Sequence, residues 1–475
     1  MPMTPDTSQP EGRALLQVVA NDTCIGCGAC AVAAGGGIRI VRNELDILQA
    51  DVSSASVMEL EAGGRVCPFS DETPSEDAVI AGVVDRTMER DDRLGYHSRI
   101  MAAQVTDDRA VEGSSSGGVT TWLLAALLER GLVDGIIHAG PVGGGGFAYM
   151  VSTTVDELQS RRKSYYYPTS FDAVLQEVRG DGRRYAFVGV PCFVTAMRHL
   201  RNEDPEIREQ ITILVGLVCG HLKSGAFAKL LAWQAGVPPT ELAAVDFRVK
   251  VPGRDAGDYD FSAVTAAGER RQIRTGSAMG GNWGHALFQL NACNYCDDVF
   301  AETADVVLGD AWLPEFRSDW RGTNVLVARH AEIAAILDQG IREGELRVWP
   351  LSPDRAAASQ AGNFRHRRDD LAWRLYEDEQ AGRWAPRKRV TPRDDLPAAR
   401  KALVASRRAL AADSHLLFRR ALEERSLAAF LQPMGERIAA HDALSRRPFV
   451  VRVLGRARRL ARRVARSAVP GVARP

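Results

Sequence analysis

Eight cysteines constrain this 475-residue chain more than any other feature, because eight is two complete sets of four metal-binding thiolates. Cys24, Cys27 and Cys30 form a C-x-x-C-x-x-C run, and Cys67 begins a Cys-Pro pair. In a two-cluster ferredoxin another cysteine follows such a run within four residues, but here the next four residues contain none. The sequence therefore predicts one 4Fe-4S site, with Cys67 as its fourth ligand.

The residues around this first set are compatible with a cluster. Gly26, Gly28 and Ala29 are small, so backbone amides can approach the cluster sulfurs and help to set the reduction potential. Tetrathiolate zinc is one alternative, although such sites usually pair two C-x-x-C knuckles. Disulfides are another, but they require an oxidising compartment.

Composition favours a reducing compartment. The opening residues, MPMTPDTSQPEGR, lack the apolar run of a signal peptide, and no later stretch reaches the ~18 uncharged apolar residues of a membrane-spanning helix. We therefore expect a cytoplasmic protein. Its 45% hydrophobic and 25% charged residues are typical of a globular chain, and its length predicts about two to three domains.

A net charge of zero hides an uneven distribution, because residues 446–475 contain ten arginines and no acid, which leaves the remainder acidic. The arginines recur at spacings of three and four opposite apolar residues, which predicts a basic amphipathic helix. Such a helix could contact the inner face of a membrane peripherally, dock on an acidic partner or pack on this chain's own acidic body. With one aromatic residue and no binding motif, the tail is not expected to bind nucleic acid.

Between residues 100 and 342 apolar runs alternate with helix-like segments, which predicts an α/β core that presents ligands at the carboxyl ends of its strands. The predicted strands are Ile100–Val105, Val133–Ala139, Arg184–Val190, Ile211–Val218, Val245–Lys250, Tyr259–Ala266, Asp305–Gly309 and Asn324–Ala328. The predicted helices are Gly118–Arg130, Phe193–Leu200, Ser224–Ala235 and Glu332–Arg342.

The second set of cysteines fits this layout. Cys192 and Cys219 each follow a predicted strand and can face a common crevice, and Cys293 and Cys296 form a C-x-x-C knuckle. The spacing predicts a metal site that suits zinc almost as well as iron. A redox-active C-x-x-C pair and inert buried thiols are the alternatives.

One further motif, Gly-Ser-Ser-Ser-Gly-Gly-Val at 113–119, opens the first predicted helix of the core. The free amides and the positive dipole end of such a helix suit an anion, for example a nucleotide pyrophosphate. No G-x-G-x-x-G or P-loop pattern accompanies the motif, and a serine-rich helix start without a ligand is the alternative.

Taken together, these motifs resemble the coenzyme F420 hydrogenase/dehydrogenase beta-subunit family, which includes the deazaflavin-reducing hydrogenase beta subunit, related formate dehydrogenase subunits and plant hydroxymethyl-chlorophyll reductase. The matching pieces, in the family's order, are Cys24–Cys30, Ser115–Val119, Val133–Gly135, Val188–Cys192, Gly216–Gly220, Cys293–Cys296 and Ala304–Asp310. The ordered set is far more specific than any one piece.

The resemblance implies a flavoprotein in which FAD lies near a 4Fe-4S cluster, exchanges a hydride with an organic substrate and passes single electrons through two clusters. It implies that the flavin-proximal cluster is bound by Cys192, Cys219, Cys293 and Cys296. It assigns FAD binding to Ser115, Ser116, Gly117, Gly118, Thr120 and Lys163. No side-chain acid or nucleophile is required, so no catalytic residue is assigned.

The expected fold is α/β, with a ferredoxin-like module, a flavin-binding core built on a mixed sheet and a mainly helical C-terminal region. The expected boundaries are 15–75 for the 4Fe-4S domain, 95–180 and 181–350 for the two parts of the core, 351–445 for a helical extension or linker, and 446–475 for the tail. The second iron–sulfur site falls in the later part of the core, and the extension is expected to carry little chemistry.

Two departures from the family pattern bear on the substrate. Lys163 opens Lys-Ser-Tyr-Tyr where relatives tend to read Gly-Ser-Lys-Tyr, and Arg254 follows Gly253 where they often have tryptophan. The substrate therefore need not be the deazaflavin. Arg248, Lys250 and Arg254 could pair with an anionic small molecule, or they could be solvated surface charges.

The leading hypothesis is an oxidoreductase that moves electrons between a ferredoxin-like donor and an organic hydride acceptor, with ferredoxin or coenzyme F420 as electron partner. A second hypothesis is a non-catalytic electron-transfer or membrane-docked subunit of a larger redox complex. A third is a zinc-bearing structural protein whose flavin site has decayed.

Overall fold

An eight-stranded mixed sheet forms the centre of the computed structural model, which describes residues 12–85 and 87–445. In sheet order its strands are β15 (Leu346–Pro350), β5 (Arg99–Val105), β14 (Asn324–Ala328), β13 (Val306–Asp310), β9 (Ile211–Leu217), β8 (Tyr185–Gly189), β6 (Gly135–Val142) and β7 (Gly146–Ser152). The four strands from β13 to β6 are parallel, and the outer strands pair antiparallel with their neighbours. The predicted mixed α/β fold is confirmed.

The sheet is buried on both faces, as its unbroken apolar runs require. Strand β14 is buried at every residue, and so is β8. On one face, α6 (Val119–Glu129) and α13 (Ala331–Arg342) pack against the side chains of Val306, Leu308 and Leu326. On the other, α8 (Asp172–Val178) and α9 (Pro191–Glu203) pack against Val307 and Val325.

A separate antiparallel sheet lies beside the core. It contains β10 (Leu242–Val249), β11 (Asp260–Thr265) and β12 (Arg270–Arg274), and α11 (Ala226–Gln234) packs on it through Phe227. All eight predicted strands and all four predicted helices are confirmed, with ends that shift by a few residues. The prediction missed β7, β12 and β15, together with four short N-terminal strands.

The N-terminal module is small and separate from the main sheet. It contains α1 (Arg13–Ala20), α2 (Ala29–Ala34), the hairpin of β1 (Arg39–Arg42) and β2 (Leu48–Asp51), and α3 (Val57–Val66). Ser56 and Glu59 form a capping box that starts α3. Leu15, Ile38 and Leu60 pack with Cys30 in the centre of the module.

The C-terminal extension is helical. Its helices are α14 (Pro353–Ala358), α15 (Ala361–Arg367), α16 (Asp369–Gln380), α17 (Ala398–Glu423) and α18 (Ala428–Ser445). Phe418, Phe430 and Met434 bury their side chains against Phe288 of the core. None of the helices within residues 12–85 and 87–445 has the length and apolar character needed to cross a bilayer. The predicted basic helix at 446–475 lies outside the described residues.

The remaining elements are short connectors. They are α4 (Glu76–Ile80), β3 (Glu89–Asp91), β4 (Gly95–His97), α5 (Asp108–Glu112), α7 (Val155–Ser160), α10 (Pro205–Gln210), α12 (Pro314–Arg317) and three single 3-10 turns at Thr275–Ser277, Trp283–His285 and Asn291–Asn294.

Candidate functional site

The first cysteine set is gathered within the N-terminal module. Cys24 and Cys27 lie on the loop before α2, Cys30 lies in α2, and Cys67 ends α3. Burial raises the pKa of the Cys30 thiol, and the nearby thiols of the other three cysteines raise it further. The fold therefore brings together the four residues that the sequence predicted as one ligand set.

Backbone amides supply the hydrogen bonds to this first set. Gly26 and Ala50 donate to Cys24 Sγ with N···S distances of 3.4 and 3.3 Å. Gly26 has φ of +65°, and a Cβ there would come within 2.5 Å of the Leu48 carbonyl oxygen. Glycine is therefore required where the cysteine loop passes the hairpin.

The second set is gathered from three separate places in the chain. Cys192 lies in the first turn of α9, directly after β8, and Cys219 follows β9. Because β8 and β9 are adjacent and parallel, their carboxyl ends share one edge of the sheet. Cys293 and Cys296 approach this edge on the loop that contains the 3-10 turn Asn291–Asn294.

The four thiols of the second set are near enough to affect one another's ionisation. Burial raises the pKa of Cys192, and the thiols of Cys296, Cys219 and Cys293 raise it further. The amide of Leu222 donates to Cys293 Sγ at 3.2 Å. The predicted second set therefore also forms one cluster of buried or half-buried thiols.

An arginine from the C-terminal extension completes the surroundings of the second set. Arg367, at the end of α15, places Nη1 3.1 Å from Cys296 Sγ, and only 1% of the residue is exposed. Its positive charge also offsets the effect of burial on the pKa of Cys219 and Cys293. We expected the extension to carry little chemistry, and this contact shows otherwise. No motif around Arg367 could have predicted the contact.

The two sets adjoin each other. Burial raises the pKa of Tyr149, and the thiols of Cys192 and Cys27 both contribute to that rise, so Tyr149 lies near both sets. Its hydroxyl donates to the Val188 carbonyl at 3.0 Å, and its ring stacks on Phe187 at 5.4 Å. The sequence indicated two sets but gave no sign that they are neighbours.

Each set supplies four thiols, which is the ligand type and number of a 4Fe-4S cluster. In the described ranges 12–85 and 87–445, no three His, Cys, Asp or Glu side chains converge on the position of one metal ion. A single zinc ion needs its four ligands within about 2.3 Å, whereas the four thiolates of a 4Fe-4S cluster bind four different irons and stand further apart. Iron–sulfur ligation by the two sets stays a prediction.

The serine-rich loop lies at the same edge of the sheet. It follows β5 and α5, and the Gly117 carbonyl accepts a hydrogen bond from the Val105 amide at 2.9 Å. Gly118 begins α6 with φ of +81° and no side-chain cap. Ser116 Oγ donates to the Thr323 carbonyl at 3.1 Å, and Thr120, one turn later, is half-buried.

Two lysines connect this loop to neighbouring segments. The Ser164 amide donates to Ser115 Oγ at 2.9 Å, and the adjacent Lys163 Nζ donates to the Arg248 carbonyl at 3.1 Å. Lys250 Nζ donates to the Ser116 carbonyl at 2.8 Å. The fold thus brings the residues assigned to FAD together with the basic segment 248–250, although flavin binding itself stays a prediction.

The predicted basic residues differ in how they are neutralised. Arg248 is buried against Asp310, with an Nη1–Oδ2 distance of 2.7 Å, and Arg254 pairs with Asp260 at 2.6 Å. Lys250 contacts backbone carbonyls, and burial, reinforced by Arg248 and Lys163, lowers its pKa to about 7. Lys250 is therefore the best placed of the three predicted residues to meet a ligand anion.

Two cavities open near these groups without including the assigned flavin residues. One, of about 490 Å³, is lined by Thr323, Arg347 and Trp349 and borders the serine-rich loop through Thr323. The other, of about 330 Å³, is lined by Pro68, Lys388 and other residues beside the first cysteine set.

Comparison with known proteins supports the resemblance. Residues 100–176 match the family described as the N-terminal part of the beta subunit of coenzyme F420 hydrogenase/dehydrogenase, and residues 182–354 match the family described as the C terminus of the same beta subunit. The chain is 25% identical over 306 residues to one of the subunits of the F(420)H(2) dehydrogenase of Methanosarcina mazei, a match that covers 63% of this chain and 79% of that protein.

Two more similar proteins have related names. The beta subunit of the coenzyme F420 hydrogenase of Methanothermobacter thermautotrophicus is 24% identical over 269 residues, or 54% of this chain and 86% of that protein. A chain of the F420-reducing [NiFe] hydrogenase complex from Methanosarcina barkeri superposes with a TM-score of 0.48 at 17% identity, over 64% of this chain and 99% of that chain. The two family matches together span more than half of the sequence, and the chain belongs to the coenzyme F420 hydrogenase/dehydrogenase beta-subunit family.

Proposed function

We propose that this chain is an iron–sulfur flavoprotein oxidoreductase that passes electrons between a ferredoxin-like donor and an organic hydride acceptor. Two 4Fe-4S clusters and FAD are its proposed cofactors. The observation that carries the proposal is the adjacency of two four-cysteine sets of buried or half-buried thiols, since Cys27 of the first set and Cys192 of the second pack with Tyr149 in one hydrophobic cluster. Neighbouring clusters suit single-electron transfer, which a lone structural metal site does not need.

The chain's own residues have separate proposed roles. The first set, Cys24, Cys27, Cys30 and Cys67, would hold the cluster nearer the N-terminal surface, and the second would hold the cluster nearer the flavin. The serine-rich loop and Lys163 would bind FAD, which when bound takes up a hydride as two electrons and releases them singly. The half-buried Lys250 would favour an anionic group of the flavin or of the substrate.

Coenzyme F420 is the candidate hydride acceptor, because the names of the similar proteins refer to it. This chain differs from the family pattern at Lys163 and at Arg254, and Arg254 is already paired with Asp260. Another anionic organic acceptor is therefore a second candidate for the same site.

Cofactor content tests the proposal directly. Anaerobically purified protein should contain about eight irons, eight sulfides and one FAD per chain, and little zinc. Zinc in place of iron, or no flavin after reconstitution, would contradict the proposal.

Turnover separates an enzyme from a partner subunit, which is a second candidate because the similar proteins are named as subunits. The isolated chain, loaded with FAD, should reduce coenzyme F420 or another hydride acceptor with an artificial one-electron donor. A chain that carries all cofactors but turns over only when another protein of the complex is added would instead be the electron-transfer component.

A further inference from the structure

The two cysteine sets differ in the groups that donate to their sulfurs. Around the first set, the donors to sulfur are backbone amides: those of Gly26 and Ala50 contact Cys24, and others contact Cys27, Cys30 and Cys67. Around the second set there are two kinds of donor. The Leu222 amide donates to Cys293 Sγ, and the charged guanidinium of Arg367 places Nη1 3.1 Å from Cys296 Sγ. Hydrogen bonds from charged donors are roughly twice as strong as those from neutral ones.

Arg367 is fixed in this position by the backbone of the core. Its Nη2 donates to the Gly220 carbonyl at 2.9 Å, and its Nη1 also contacts the Asp298 carbonyl. Gly220 directly follows Cys219, and Asp298 lies two residues after Cys296. The backbone beside the second set therefore fixes the guanidinium of Arg367, although the residue itself belongs to the extension.

Arg367 forms no salt bridge in the part of the chain that the structure describes, and, against the effect of burial, the thiols of the second set, ahead of the carboxylate of Asp298, raise its pKa. Its contacts are the two carbonyl oxygens and the sulfur, and its Nε, also buried, has no hydrogen-bond partner. A buried cation is costly unless an anion compensates it. A cluster held by thiolates supplies that anion, and its negative charge grows by one unit on reduction.

A buried lysine also lies near the second set, because burial lowers the pKa of Lys223 well below its ordinary value and the Cys293 thiol opposes that shift. Lys223, 2% exposed, contacts the Leu287 carbonyl, and its Nζ lies 4.6 Å from the ring of Phe227 and 4.9 Å from the ring of Trp283. Lys388, by contrast, acts on Cys67 of the first set and on Cys296 of the second, so it does not distinguish them.

We propose that Arg367 raises the reduction potential of the second cluster above that of the first. An electron added to the oxidised protein then reduces the second cluster while the first stays oxidised, and no bond forms or breaks. The inference rests on the proposed function, since it requires a cluster at both sets. Arg367 lies outside the two family-matched ranges, so this tuning belongs to the extension of this chain. Arg367 is a positioning residue, because it acts through the cluster.

A redox titration monitored by electron paramagnetic resonance tests the proposal. The Cys30→Ser and Cys296→Ser variants, each with one intact set, assign the two midpoints in the wild type. Arg367→Gln should lower the midpoint of the second cluster by about 59 mV, a tenfold change in the equilibrium constant of a one-electron couple. Arg367→Lys keeps the charge and should shift the midpoint less. Arg365→Gln, an exposed position on the same helix, is the matched control and should shift neither midpoint.

Each outcome is decisive. If the first cluster has the higher midpoint in the wild type, the proposal is overturned even when both Arg367 variants fail to fold. If Arg367→Gln keeps full iron and leaves the second midpoint unchanged, Arg367 does not tune it. Wild-type protein without iron and sulfide would instead contradict the proposed function, before any midpoint is measured.

Discussion

The two cysteine sets are built in opposite ways. The first comes from one small module, in which a short loop and two helix ends supply all four thiols and backbone amides contact the sulfur of Cys24. The second joins the ends of two parallel strands to a knuckle about 75 residues further along the chain, and Arg367 reaches it from the extension. The first depends on local geometry, whereas the second exists only when the whole core is assembled.

This difference has an energetic consequence. A local loop can keep its thiols near one another when distant parts of the protein loosen, because few residues separate them. The second set loses its arrangement if the sheet, the knuckle or the extension moves. We therefore expect the second cluster to be the more sensitive one to substitutions far from its sulfurs.

The largest expected effect is the loss of one cluster without the other. Cys30→Ser and Cys296→Ser should each remove about half of the iron and sulfide, since each cluster needs four thiolates. Iron and sulfide analysis of anaerobic protein measures the loss. If either variant lost all of the iron, the two sets would not be independent sites.

Asp378→Ala should loosen the second set while sparing the first. Asp378 is fully buried and accepts from Tyr295 of the knuckle at 2.7 Å and from Arg408 at 2.8 Å. Removal takes the nearest carboxylate from the half-buried Arg408 and the acceptor from the Tyr295 hydroxyl, at a cost of about 1–3 kcal/mol. Urea unfolding measures the loss, and iron content should fall by half.

Asp395→Ala is the matched control for this substitution. Asp395 lies in the same extension but 55% of its side chain is exposed, and it pairs with Arg393 at 3.6 Å. Such surface pairs contribute little. Equal destabilisation by the two substitutions would show that the contact between Asp378 of the extension and Tyr295 of the knuckle contributes no specific stability.

Gly28→Ala should disturb the first set. Gly28 has φ of +95°, and an added Cβ would lie 2.5 Å from Ser170 Oγ and 2.9 Å from the Asp172 backbone nitrogen. Gly35, in the same module, has φ of +70° and no atom within 4 Å of the added Cβ. Gly35→Ala thus measures conformational strain alone, about 1–2 kcal/mol.

Gly28→Ala should lower the free energy of unfolding by more than Gly35→Ala does. The difference measures the clash of the added Cβ with Ser170 and Asp172, about 1–3 kcal/mol by analogy with overpacked cores. Thermal and urea unfolding give the two values. Equal values for the two substitutions would show that the loop is free to move away from Ser170, so the module would be less tightly docked than its contacts indicate.

The last prediction concerns pH. Burial, reinforced by Arg248 and Lys163, lowers the pKa of Lys250 to about 7 in the folded chain, whereas an unfolded lysine has a pKa of about 10.4. At a pH between these two pKa values, Lys250 is protonated in the unfolded state and mostly neutral in the folded state. Its contribution to the free energy of unfolding therefore rises with pH. Wild type should therefore gain stability relative to Lys250→Met from about pH 7 to pH 10. A constant difference in the free energy of unfolding would mean that Lys250 is not desolvated.

The sequence predicted most of the central sheet because its strands are unbroken apolar runs. Strand β14 was predicted with its observed bounds, as both of its faces are buried. The missed strands have weaker patterns: β7 follows a run of glycines at the sheet edge, and β12 is charged and mostly exposed. Such segments become strands because a partner is available, not because of their own composition.

The candidate site was predictable only in part. Cysteine number and spacing grouped the eight thiols into the two sets that the fold gathers, because each set has a recognisable motif or lies at a strand end, and metal binding by these sets stays a prediction. The neighbourhood of Cys27 and Cys192 could not be predicted, since it depends on how the N-terminal module docks on α8 and α9. Arg367 had no sequence signal, because arginines are common in surface helices.

The most direct test of the central claim, that two adjacent clusters occupy the two sets, is the electron paramagnetic resonance spectrum of the fully reduced, anaerobic protein. Reduced clusters in adjoining sets interact magnetically, so we predict a spectrum broadened and split beyond that of either single-cluster variant, Cys30→Ser or Cys296→Ser. A wild-type spectrum equal to the plain sum of the two variant spectra, or one that contains a single cluster, would contradict the account.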